Sequence, residues 1–167
     1  MPFQTDFIIQ GTAQFMSDDL LTSSIRGRPH IHSPVDDLFS LFYVAQWAAV
    51  FHPDGDGLPM VQDLRKQLAE GERMQTTREL QDINPHNTSK ADGGRILPLL
   101  GPLFKIWLKS LEELRSRYKD ALTSVQAMDP LVKHLFLAIA YRGVGDFVEA
   151  IEEWKELEEV DLDSDLE

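Results

Sequence analysis

The side chains with the clearest potential for chemistry are histidines and carboxylates in the first third of the chain. The residue types that bind zinc gather at His30, His32, Asp36 and His52, but their spacing matches none of the patterns of tetrahedral zinc sites. Residues 54–57 (DGDG) are similar to part of a calcium loop, yet no glutamate stands at the twelfth position of that loop. The sequence therefore predicts no metal site.

Two short segments carry a more specific pattern. Residues 11–17 (GTAQFMS) and residues 36–44 (DDLFSLFYV) lie roughly twenty residues apart. In this order and at this separation they resemble the end of the activation segment and the start of the F helix of protein kinases. Trp47 and His32 extend the likeness to the fungal-type protein kinase family. The resemblance is closest over residues 11–51 and looser over the helical stretches that follow.

The resemblance implies roles for individual residues. Gly11 and Thr12 would belong to the substrate-docking loop next to the phosphorylation site. Asp37 would be the buried aspartate of the F helix, whose carboxylate accepts hydrogen bonds from backbone N–H groups of the catalytic loop. Charge-assisted hydrogen bonds of this kind are strong. Trp47 would be a structural residue of the same helix.

A further structural role would fall on Asp19, which stands where kinases carry the glutamate of the Ala-Pro-Glu motif. In the family that glutamate pairs with a buried arginine, and here Asp18 takes the place of the proline. The sequence leaves three partners for Asp19 open, namely Arg115, Arg117 and Arg142.

Catalytic residues of the kinase family are missing from this sequence. Phosphoryl transfer needs a Gly-rich loop, an anchoring lysine, a catalytic-loop aspartate and a metal-binding aspartate. All of these precede the Gly-Thr motif in kinases, whereas only ten residues precede Gly11 here. Asp6 and Phe7 are followed by Ile8 instead of glycine, and no His-Arg-Asp triplet occurs. We therefore expect a truncated, non-catalytic chain with no cofactor, in which ATP and magnesium would bind only if missing upstream sequence completed a kinase.

The elements that must position these residues are predicted to be helices only, arranged as in the C-lobe of a kinase. Residues 35–51 are apolar on nearly every face, which predicts a central helix buried on all sides. Ser33 and Pro34 suit its N-cap and first turn. We predict a loop-rich segment over 1–34, a helical region over 35–160 and an acidic disordered tail over 161–167.

Helical periodicity predicts further helices along the chain. They cover residues 17–22, 60–70 with a continuation to about 80, 99–125, 130–141 and 146–160. A break is expected near Gly101 and Pro102, and a turn over residues 142–145.

An alternative function rests on the last two predicted helices. Tyr141, Phe147, Ala150 and Trp154 resemble one tetratricopeptide repeat. A single repeat cannot bury its own apolar face, and no second copy stands out 34 residues away. The alternative is a helical protein-interaction module.

Composition limits the partners. The formal charge of −12 argues against nucleic-acid binding, because that function needs a basic surface. There is no cysteine, no secretory signal and no apolar run of membrane-spanning length, so we expect an intracellular protein without a membrane segment. A kinase C-lobe without its catalytic loop would expose apolar surface, so we expect a protein partner or self-association.

Overall fold

The computed structural model describes residues 13–123 and 131–164, the latter with side chains as far as Leu157. The helices are α1 Asp18–Ile25, α2 Pro34–Val50, α3 Pro59–Ala69, α4 Arg73–Asp82, α5 Lys90–Gly93, α6 Ile96–Thr123 and α7 Leu131–Ser164, with 3₁₀ turns at Ala13–Phe15 and Pro53–Gly55. The described residues contain no strand, which confirms the all-α prediction. None of the described helices has an apolar stretch long enough to span a bilayer.

Helix α2 lies at the centre of the hydrophobic core and matches the helix predicted over 35–51. Phe42 is fully buried and meets Phe104 and Trp107 of α6 edge-to-face, with ring centroids 5.9 Å and 5.2 Å apart. Aromatic pairs in this geometry contribute beyond the area that they bury. The helix begins at Pro34, where the missing N–H group of proline costs no hydrogen bond.

One stripe of α2 remains exposed, so the prediction that the helix is buried on all sides is wrong there. Asp37, Leu41, Val44 and Ala48 follow one another at helical spacing and all face solvent. Leu41 is 50% exposed and Val44 is 44% exposed. We call these four residues the open face of α2.

Helices α6 and α7 run antiparallel and supply most of the remaining core. Phe147 packs on Trp107 with ring centroids 4.3 Å apart. Towards one end of the pair, the Trp154 indole N–H donates to the Leu99 carbonyl, at 2.9 Å. These contacts fix α7 against the same face of α6 that receives α2.

Helix α7 is continuous, so the predicted turn over residues 142–145 and the two separate helices are wrong. Gly143 lies inside the helix where α7 approaches α2 and α6, and a Cβ atom there would come within 2.2 Å of Leu38 Cδ1. This glycine therefore permits close packing of helices and does not mark a turn. The tetratricopeptide-like helix pair has no counterpart in the structure. Helix α7 also runs to Ser164, past the boundary predicted at residue 160.

Helix α6 passes through Gly101 and Pro102 without the predicted break. Pro102 lies within the first two turns. Gly101 is buried against the end of α4, where a Cβ atom would lie 1.9 Å from the Ile83 carbonyl oxygen.

Ahead of α6, the Asp54 carboxylate accepts from the N–H groups of Arg95 and Ile96, and these bonds lower the pKa of Asp54.

Candidate functional site

A buried carboxylate, Asp36, organises the polar contacts at the start of α2. Its Oδ2 accepts from the backbone N–H and hydroxyl of Ser33, at 2.8 Å and 2.9 Å. The same oxygen lies 3.0 Å from His30 Nε2, and Oδ1 accepts from the Ser17 hydroxyl. Ser17 also caps α1, because its Oγ accepts from the Leu20 N–H at 3.1 Å. The cluster therefore attaches the start of α1 to the start of α2.

Asp36 is only 2% exposed, and burial alone would raise its pKa. The hydrogen bonds from Ser17, His30 and Ser33 act in the opposite direction and together hold the pKa below its ordinary value. Both carboxylate oxygens are occupied by internal donors, so this group has a structural role and is not available to a substrate.

The buried aspartate predicted at Asp37 is instead Asp36. Asp37 lies on the open face of α2, is 72% exposed and pairs with His32 Nε2 at 2.9 Å. One residue turns the side chain by about 100° around a helix. The core side of α2 is set by Phe39, Phe42 and Tyr43, and that side includes position 36 and leaves position 37 outside.

Arg73, which the sequence analysis did not single out, holds the segment ahead of α1. Its guanidinium donates to the carbonyls of Ala13, Gln14 and Met16 and to the Asp18 carboxylate. The side chain is 8% exposed and lies over the Tyr43 ring, 4.2 Å from its centroid. A single arginine in a polar stretch gives no sequence signal for this role.

The same contacts affect the pKa of the Tyr43 hydroxyl. Burial raises the pKa of Tyr43, and the nearby carboxylate of Asp18, to which the hydroxyl donates at 3.3 Å, raises that pKa further. The phenol therefore stays protonated and acts as a hydrogen-bond donor.

Asp19 pairs with Lys119, at 2.8 Å, and the partner thus lies outside the three arginines considered from the sequence. The Arg115 guanidinium lies over the Phe39 ring, and Arg142 pairs with Asp146 along α7. Because the Asp19 and Lys119 side chains are 35% and 54% exposed, solvent screens their attraction.

Replacing Asp19 with asparagine is expected to change the free energy of unfolding by no more than about 0.5 kcal/mol, as for other exposed pairs. The check is urea denaturation of the wild type and Asp19→Asn at low and at high salt, with Lys119→Met as the matched variant. A loss above about 1.5 kcal/mol in either variant would show that the pair has the buried role implied by the kinase resemblance.

The predicted docking residues Gly11 and Thr12 lie outside the described residues. The 3₁₀ turn that follows them packs on α2, where Phe15 meets Trp47 edge-to-face with centroids 6.3 Å apart. Trp47 in turn stacks on Phe51 at 4.0 Å, so its role in the described part of the chain is packing. The segment leading into α1 therefore lies along α2, from Trp47 to Asp36.

A cavity of about 130 Å³ lies beside this segment. Its wall includes Gln46, which is 1% exposed. The Gln46 Oε1 accepts from the Thr77 hydroxyl at 3.0 Å, while its Nε2 has no hydrogen-bond partner among the described residues. The cavity is also lined by Leu21, Tyr43, Trp47, Leu68 and Arg73.

The histidines considered as metal ligands have other partners. His30 contacts Asp36, His32 pairs with Asp37, and the His52 ring accepts from the Asp54 N–H. Within residues 13–123 and 131–157, no three His, Asp or Glu side chains come together as a metal site.

No protein-family model, curated protein or solved structure matches this chain.

Proposed function

We propose that this chain is a kinase C-lobe-like helical module that does not transfer phosphate by itself and that binds a protein partner. The partner covers the open face of α2 with a polypeptide loop, in the way that a catalytic loop lies on the F helix of a complete kinase. The net charge of −12 and the exposed Asp37 favour a partner loop that carries positive charge.

The observation that carries this proposal is the open face itself. A helix whose other sides form the core presents Leu41 and Val44 to solvent at about half exposure, next to Asp37. Apolar side chains on a central helix gain about 25 cal/mol for each Å² that a partner covers. The carboxylate at the head of the same stripe can accept backbone N–H groups from a loop placed there.

The arrangement of the first described residues also supports the kinase resemblance. The segment after Gly11 lies along α2, and Ser17 donates to Asp36 at the start of that helix. The resemblance implies that the end of the activation segment lies near the start of this helix, which is where Ser17 lies. The absence of a His-Arg-Asp triplet and of a Gly-rich phosphate loop from the sequence supports a binding role without catalysis.

A split-kinase experiment tests the proposal. The probe is a separately expressed fragment of a fungal-type protein kinase that ends just before its Gly-Thr motif. We expect the chain alone to show no phosphotransferase activity, and calorimetry to detect binding of the fragment. We expect the double variant Leu41→Lys, Val44→Lys to weaken this binding at least tenfold, because each lysine places a charge in the apolar contact.

The matched control is the double variant Leu137→Lys, Val148→Lys on α7, which alters two residues with similar exposure away from α2. It is expected to bind the fragment like the wild type, and circular dichroism checks the helix content of both variants. Failure of the fragment to bind, or equal binding by the open-face variant, would contradict the proposal.

A further inference from the structure

A row of large apolar side chains lies on the outward side of α7. Its members, each between 48% and 78% exposed, are Leu137, Tyr141, Val144 and Val148. The core side of the same helix is already occupied, since Ile139 and Ala150 are buried there. We call the four exposed residues the α7 stripe. It belongs to a different helix from the open face of α2, so a contact with it would be additional to the proposed partner of α2.

The spacing of the α7 stripe is that of a helix that packs against another helix. Its members follow one another at intervals of four, three and four residues. This is the spacing of the apolar positions in a coiled coil, where each side chain enters a hole formed by four residues of the facing helix. Contiguous apolar surface of this kind marks interaction sites on folded proteins. The α7 stripe is therefore suited to a helical occupant.

Gly145, at the edge of the α7 stripe, also favours a helix as the occupant. Glycine is unfavourable inside a helix. A Cβ atom at this position would meet no described atom within 4 Å, so packing within the chain does not require a glycine here. Together with Tyr141, Val144 and Val148, Gly145 forms one of the four-residue holes of a coiled-coil surface. Its missing side chain leaves room in that hole for a large ring from a facing helix.

The charges along α7 favour a second copy of this chain as the occupant. Residues 131–145 contain two cationic side chains and no carboxylate, whereas residues 146–157 contain five carboxylates and one lysine. Arg142 already pairs with Asp146, so Lys133 is the cation left to act outside the helix. When two such helices run antiparallel, the basic half of each faces the acidic half of the other. A parallel pair would bring the two acidic halves together, where they repel.

We propose that the α7 stripe binds the same stripe of a second copy, around a two-fold axis that runs the two helices antiparallel. The middle of the stripe lies between residues 142 and 143. Leu137 therefore faces Val148 of the second copy, and the Tyr141 ring faces Val144 and enters the hole at Gly145. A two-fold contact is self-complementary, so each of these pairs occurs twice.

Sedimentation equilibrium of the full chain tests the proposal. We expect the mass to rise from 19.0 kDa towards twice that value as the concentration increases, with a dissociation constant on the order of 100 µM. The dimer is weak because four side chains from each copy make a contact smaller than a standard interface. Dilute chain, as used for denaturation, is therefore monomeric. A wild type that remains monomeric up to about 1 mM would overturn the proposal.

The double variant Leu137→Lys, Val148→Lys should weaken the dimer at least tenfold, because each lysine places a charge in the apolar contact. The matched control is Ile25→Lys, Met74→Lys, which alters exposed apolar residues of α1 and α4 and should dimerise like the wild type. Equal dissociation constants for the two variants would contradict the proposal. Since the α7 variant is expected to keep its binding of the kinase fragment, loss of the dimer and loss of the fragment are separate results.

Cysteine cross-linking tests the orientation, and the chain has no cysteine of its own. In a buffer of oxidised glutathione, an equal mixture of Leu137→Cys and Val148→Cys should form a disulfide between the two chains. Leu137→Cys alone should not, because the two positions 137 lie about 16 Å apart along the helix axis and a disulfide needs Cβ atoms about 4 Å apart. Faster cross-linking of Leu137→Cys with itself than with Val148→Cys would overturn the antiparallel dimer.

Discussion

Replacing Asp36 with alanine is expected to lower the free energy of unfolding by about 3 kcal/mol, because several buried donors lose their acceptor at once. Ser17, Ser33 and His30 all direct polar atoms at this carboxylate, and Asp36 is only 2% exposed. The cap of α1 should loosen as well, since the Ser17 hydroxyl is oriented by its bond to Asp36. Urea denaturation followed by circular dichroism measures the loss.

The adjacent residue provides the control. Asp37→Ala removes the same type of side chain at the next position of α2. Asp37, however, is 72% exposed and its partner His32 is 61% exposed. This variant should change the free energy of unfolding by no more than about 0.5 kcal/mol. Equal losses in the two variants would show that the buried carboxylate has been assigned to the wrong residue.

The same cluster predicts a dependence on pH. Because the pKa of Asp36 is lower in the folded state, the unfolded chain binds more protons in acid. The stabilisation is fully present above the ordinary aspartate pKa of about 3.9 and is lost as the pH falls through the lower folded-state pKa. The pKa of Asp54 is also lowered, so Asp54 adds to the loss of stability in acid, and it does so equally in the wild type and in Asp36→Ala. The gap in stability between wild type and Asp36→Ala should therefore narrow below about pH 4, and a constant gap would contradict this.

Adding one methyl group at Gly101 is expected to cost about 3 kcal/mol, since α6 and the end of α4 must move apart. The Cβ of Gly101→Ala would lie 1.9 Å from the Ile83 carbonyl oxygen and 3.1 Å from the Leu80 carbonyl oxygen. Both are backbone atoms, which cannot turn away as the end of a side chain can. The measurement is again the free energy of unfolding in urea.

Gly145→Ala is the matched control, because Gly145 lies within α7 and a Cβ there meets no atom within 4 Å. Alanine is favoured over glycine in a helix, so this variant should gain about 0.5 to 1 kcal/mol. Opposite signs for the two variants are the expected result. A gain in stability for Gly101→Ala would mean that α6 and α4 are not in close contact.

Much of the helical framework could be predicted from the sequence. Ser33 and Pro34 mark the start of α2, and its dense apolar residues indicate that it is central. Helix α3 follows the predicted pattern within one residue at each end. Glycine was the main source of error, because a glycine that permits close helix packing cannot be distinguished in sequence from one that ends a helix. Gly143 and Gly101 are both of the first kind.

The polar site was harder to predict, because it depends on which side of a helix faces the core. Asp36 and Asp37 are the same residue type at adjacent positions, and only the packed structure separates them. Arg73 and Lys119 lie far along the chain from the acidic residues they contact, and nothing in the local sequence connects them. The cavity at Gln46 depends on four chain segments and has no local signal at all.

Arg73 lies far along the sequence from the carbonyls that it binds, and this separation affects the order in which contacts form during synthesis. Met16 leaves the ribosome 57 residues before Arg73, which holds its carbonyl. At roughly 5 to 20 residues per second, that interval is about 3 to 11 seconds. During this time the N-terminal segment can contact α2 through Asp36, Tyr43 and Trp47, but it lacks the guanidinium that later binds its carbonyls. A chaperone or a partner protein therefore has its best opportunity to engage the segment in those seconds, before α4 has emerged.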